Sequence, residues 1–130
     1  MCAPPILQGS EPITADSSRR SYLVDIGRDA ELLAFIALLE AGREAQLTHH
    51  QHHFDLLTTD GWAFEVKTAS WPHCPGVAIH RKKLRAKRDW ADTHGYKAGV
   101  AAVNLGTGEV RWYPALKCVH WDDMTVIPPR

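Results

Sequence analysis

The order of elements legible in this 130-residue chain predicts an α/β or α+β domain, a mixed sheet flanked by helices. Three observations lead there. A dense run of apolar helix formers precedes residue 42, the apolar period falls to two from residue 44, and a second helical stretch separates the first group of strands from two more.

The first helix is expected from Gly27 to Gly42. Ala30, Leu32, Leu33, Phe35, Ile36, Leu38 and Leu39 are closely spaced good helix formers, and Gly42 is a natural stop. Asp25 is a plausible N-cap. Because the apolar positions wrap more than one face, this helix is expected to be buried on two sides. Three strands should follow, near 44–49, 53–58 and 62–69. A loop at 70–76 containing Pro72, Pro75 and Gly76 leads to a possible short strand at 77–79. Arg81 to His94 reads as a helix ending at Gly95, with Leu84 and Trp90 as its anchors on the sheet. Strands at 98–105 and 109–114, joined by Gly106-Thr107-Gly108, and a short strand near 124–127 complete the set. Residues 1–21 hold three of the eight prolines and are expected to form a flexible tail before a domain spanning 22–130.

Composition narrows the function classes. At 45% hydrophobic and 23% charged residues the chain is globular, and no apolar run reaches the roughly 18 residues of a membrane span. The N-terminus lacks a basic segment leading into an apolar one, so no secretory signal is expected. Cys2, Cys74 and Cys118 are odd in number and unrelated in spacing, which favours a reducing, cytoplasmic setting over a disulfide framework. The formal net charge of zero conceals a sharp asymmetry. Residues 1–80 carry 5 basic and 10 acidic side chains, whereas residues 81–88 carry six basic ones and no acid. Such a cluster on an otherwise acidic body suits a local polyanion, with a solvated helix face as the plainer reading.

The chemistry concentrates in residues 54–67. Glu65 and Lys67 are two apart on the expected third strand and so share a face. A turn of two residues, Asp60-Gly61, would place Asp55 opposite Val66, on the wrong face. A three-residue turn, Thr59-Asp60-Gly61 with Gly61 left-handed, places Asp55 opposite Glu65 and gathers Asp55, Glu65 and Lys67. In that register Phe54, Leu56, Phe64 and Val66 fall on the opposite, core-packing face. Two carboxylates and a main-chain carbonyl, for which Val66 is the natural choice, make a hard-oxygen site suited to Mg2+. Lys67 would orient a water or stabilise developing charge. Read without a metal, the same residues make a cross-strand ion pair.

With Gly-Arg-Asp-Ala-Glu at 27–31 opening a helix that ends in Ala41-Gly42, Phe54-Asp55, and Phe-Glu-Val-Lys-Thr-Ala at 64–69, the chain resembles the PD-(D/E)XK nuclease superfamily. It looks most like the small Holliday junction resolvases and the endonuclease domains associated with group I introns. The resemblance spans about residues 25–105, with Phe54 standing where the superfamily's name has Pro. It implies a restriction-endonuclease-like αβββαβ core, catalytic positions at Asp55, Glu65 and Lys67, and Glu31 as a further helix acid that helps hold the metal. It also implies a Mg2+-dependent endodeoxyribonuclease, with Mn2+ as a substitute ion, in which Lys82, Lys83, Arg85, Lys87 and Arg88 contact DNA phosphates. A homodimer, or a place in a larger complex, is expected because so small a domain leaves little room for separate recognition. The competing expectation is a non-catalytic nucleic-acid-binding subunit or scaffold that retains the fold.

Weaker signals stand beside these. His49, His50, His52 and His53 crowd one turn, and a zinc-sensing module built on them is a third reading. His73-Cys74 lacks an identifiable base for thiol catalysis. His80 could reach the site end of the sheet, though a plain core or surface role fits it as well. Trp71 could stack on a base.

Overall fold

The computed structural model describes residues 15–49, 51–69 and 76–130. Helix α1 (Ala15–Glu40) is followed by strands β1 (Ala45–Leu47), β2 (Leu56–Thr58), β3 (Trp62–Thr68) and β4 (Gly76–Val77). Helix α2 (Arg81–His94) then leads to β5 (Lys97–Asn104), β6 (Glu109–Tyr113) and β7 (Val119–His120). A 3-10 turn covers Trp121–Asp123. The main sheet has the order β1-β2-β3-β5-β6, and β4 pairs with β7 apart from it. Among the described residues only β3 and β5 run parallel, because the chain must cross over through α2 to reach β5.

The mixed sheet between helices is the architecture expected from the element order. Each face carries its own core. On one, Ala30, Ala34 and Leu38 of α1 pack with Leu56, Phe64, Val66, Ala101, Val103 and Trp112. On the other, Ala63, Val100 and Ala102 pack with Ala91, Leu116, Trp121 and Met124, joined by Leu84 and Trp90 of α2. The alternation of Val100, Ala101, Ala102 and Val103 between the two clusters is the two-residue period of a strand buried on both sides. Leu84 and Trp90 thus anchor α2 as expected.

Several expectations are corrected. α1 starts at Ala15 rather than Gly27, so residues 15–21 of the expected tail are helical and Asp25 lies inside the helix instead of capping it. The cause is plain: a single interior glycine costs a helix about 1 kcal/mol, too little to end it while favourable residues continue on both sides. Residues 1–14 lie outside the described residues, as do Cys2, His50, Trp71, His73 and Cys74. α1 is also not buried on two sides: Leu32, Ile36 and Leu39 are 46%, 45% and 48% exposed. Phe54 belongs to the α2 face, not with Leu56, Phe64 and Val66. β1 and β2 are shorter than expected, and the expected strand near 124–127 reduces to one bridge between Trp112 and Thr125.

Candidate active site

The β2–β3 turn decides the site. Leu56 pairs with Phe64 and Leu57 with Ala63, the register of a three-residue turn, and Gly61 adopts φ +93°, a conformation costly for any residue with a Cβ. Arg43 locks this turn. Its guanidinium, buried beneath the sheet end, reaches both carboxylate oxygens of Asp60 at 2.9 and 3.0 Å and the Pro129 carbonyl at 2.7 Å. That bidentate partner holds the Asp60 carboxyl below its ordinary pKa. The regular ladder ends at Leu56, one residue short of Asp55. There the Asp55 N–H donates to the Phe64 carbonyl and its own carbonyl accepts the Thr48 N–H, each at 3.1 Å. The local irregularity is why Phe54 turns to the α2 face. The Asp55 carboxylate accepts the Val66 N–H at 2.8 Å and so sits against the main chain at the open end of β2. The N–H and C=O of one strand residue point to the same side, so the Val66 carbonyl opens toward Asp55 too.

Four ionisable groups that sequence reasoning singles out meet here. Lys67 Nζ lies 3.5 Å from Glu65 Oε1 on the α2 face of β3. Burial, followed by the charge and hydrogen bonding of Glu31 on α1, pushes the Asp55 carboxyl up to about 6, against the pull of the Val66 N–H and the Lys87 ammonium. Burial and the neighbouring Asp55 also raise Glu65, while Lys87 and Lys67 act to lower it. Asp55 therefore stands between Glu31 and Glu65, electrostatically tied to both. Among the described residues, however, no three His, Cys, Asp or Glu side chains converge into a ready metal cage.

Lys87 is the residue that sequence reasoning misplaces. Expected on DNA phosphates, it instead turns inward and sets Nζ 2.8 Å from Glu65 Oε2. It also donates to the His53 carbonyl. Its spacing from Leu84 and Ala91, three back and four forward, puts it on the packed face of α2, a signal present in the sequence. Lys82, Lys83, Arg85 and Arg88 remain exposed, Arg88 also bonding the Leu116 carbonyl at 2.7 Å. His80 caps α2, its ring nitrogen accepting the Lys82 N–H. In the histidine turn, His49 and His52 accept main-chain N–H groups of Gln51 and Phe54, and His52 packs edge-on against Trp90 with ring centroids 4.6 Å apart.

No family model and no curated protein matches this sequence. Among solved structures, this chain is similar to Hjc, a Holliday junction resolvase from the archaeal hyperthermophile Archaeoglobus fulgidus. The TM-score is 0.62 at 17% sequence identity, and the match covers 76% of this chain and 94% of that one. The fold is resolvase-like. In this resolvase-like fold the hairpin β2–β3 and the interior of α1 at Glu31 frame the charged cluster, and α2 covers it from the other side. A divalent ion fits the groups present. The donors are hard oxygens, and the buried Glu65 Oε2 is met by the Lys87 ammonium at 2.8 Å.

Proposed function

We propose that this chain is a metal-dependent endodeoxyribonuclease, cutting DNA phosphodiester bonds in the manner of a junction resolvase. The observation that supports it most is the hairpin geometry, which sets the Asp55 carboxylate on the Val66 N–H of β3 at 2.8 Å while Lys67 stands 3.5 Å from the Glu65 carboxylate next to it. Similarity of fold to the Holliday junction resolvase adds DNA as the expected substrate.

In this reading Asp55, Glu65 and the Val66 carbonyl hold Mg2+ or Mn2+, with Glu31 assisting through Asp55. When bound, the ion would polarise a phosphoryl oxygen and acidify a water. Lys67 orients that water and stabilises charge growing on the phosphoryl oxygens, for which a partly exposed ammonium beside the scissile bond is suited. The Val66 N–H fixes the Asp55 carboxylate, so the acid needs no reorganisation as the substrate arrives. Lys82, Lys83 and Arg85 hold the flanking backbone through phosphate charge, giving affinity without base readout. Assembly as a homodimer or within a larger complex belongs to the same proposal. No helix among the described residues is long and apolar enough to cross a membrane.

The test is a nicking assay on four-way-junction, linear and single-stranded DNA with and without MgCl2. Mg2+-dependent products are expected, and Asp55→Asn and Glu65→Gln should each abolish them. Undiminished cutting by both variants, or no cutting with Mg2+ or Mn2+ on any of the substrates, would contradict the proposal.

A further inference from the structure

Glu65 Oε2 is buried and faces a lysine that reaches it from a different element. Lys87 Nζ stands 2.8 Å from that oxygen, with its side chain only 12% exposed. The same ammonium donates to the His53 carbonyl and lies 5.4 Å from the centre of the Phe54 ring, so three contacts from the β1–β2 connection and β3 hold it inward. Lys83, one turn earlier on α2, stays in solvent. A cationic head at this distance occupies the space and supplies the charge that an ion bound to Glu65 would need.

We infer that Lys87 is a resident counter-ion that competes with the divalent metal for Glu65, so that metal loading requires its withdrawal. The inference rests on the metal-dependent reading above. An ammonium and a divalent cation cannot both sit on one buried carboxylate oxygen without strong mutual repulsion. Without metal, Lys87 spares the chain an unpaired buried charge. With metal, the charge it supplied is redundant, and the flexible four-carbon stem lets the head swing out to the basic surface of α2. Lys67 differs: it contacts the other oxygen at 3.5 Å from its own strand and is more exposed, so it does not block the Oε2 position.

Isothermal titration with MgCl2 alone tests this on the wild type, Lys87→Met and Lys83→Met. Lys87→Met should bind Mg2+ more tightly, by on the order of tenfold, the scale of one partly buried pairwise interaction, while Lys83→Met should match the wild type. Affinity in Lys87→Met equal to or below wild type overturns the competition, as does equal tightening in Lys83→Met, which would reveal only long-range charge. Failure of both wild type and Lys87→Met to bind Mg2+ overturns the metal-site reading itself. Should Lys87→Met fail to fold by circular dichroism, the wild type with 13C-dimethylated lysines serves. Mg2+ should then move the Lys87 resonance toward those of exposed lysines, and an unmoved Lys87 resonance beside clear Mg2+ binding overturns the competition.

Discussion

Asp55 is held by its main chain on both sides and by its carboxylate on Val66, while burial and the neighbouring Glu31 both oppose its ionisation. Its carboxyl rises from an ordinary 3.8 to about 6. Between those values the folded chain keeps a proton that the unfolded chain has released. The stability of the metal-free protein must therefore fall as pH rises through this window, and the full penalty applies above it. Asp55→Asn cannot ionise, so its stability relative to wild type should improve from pH 4 to pH 7, by on the order of 2 kcal/mol at about 1.4 kcal/mol per pKa unit. Thermal unfolding of metal-free protein at the two pH values measures this, and parallel profiles for the two proteins would refute it. Residue types and spacing make Asp55, Glu65 and Lys67 legible in the sequence. Lys87 is harder to read because a run of six cations looks like one solvent-facing patch, and only its spacing from Leu84 and Ala91 separates it from the rest. Arg43 is hidden for a related reason: its partner Asp60 lies in a turn 17 residues away, and nothing local marks an arginine as buried.

The hairpin and α2 are the elements on which the site depends. The turn register is legible because only one loop length brings the three charged groups together, and α2 because its anchors and its glycine stop agree, while its His80 cap is not read from the sequence. The start of α1 is not, since Gly27 reads as a boundary when the residues on either side are weighed separately. Arg43 ties the turn to the chain's C-terminal end, so Arg43→Ala should destabilise the protein by about 2 kcal/mol in chemical denaturation. That is less than a fully buried pair would cost, because the Asp60 side chain is 44% exposed. An unchanged midpoint would mean that the turn needs no such lock. For α2, the exposed set Lys82, Lys83 and Arg85 predicts a specific salt response. Replacing all three by Ala should flatten the dependence of DNA affinity on salt, by about 0.9 in the log–log slope for each phosphate no longer neutralised. Fluorescence anisotropy across a salt series reads the slope, and a wild-type slope in the triple variant would remove α2 from the DNA interface.

Across the whole molecule, two cores on opposite faces of one sheet fix the charged cluster at the open end of β2, with α1 delivering Glu31 and α2 delivering Lys87. The order of elements is enough to predict this layered arrangement, because a crossover helix between β3 and β5 leaves parallel pairing as the natural outcome. What the order does not convey is how far α1's outer surface stays open: Leu32, Ile36 and Leu39 follow helical spacing, yet the sheet covers only the neighbouring stripe. Under the proposed function, this end of the sheet performs hydrolysis rather than mere binding. Single-turnover cleavage by Lys67→Ala, measured in Mg2+ beside its affinity for the same DNA, tests it most directly. The predicted result is a rate at least about 100-fold below wild type with affinity nearly unchanged; a wild-type rate in Lys67→Ala would contradict it.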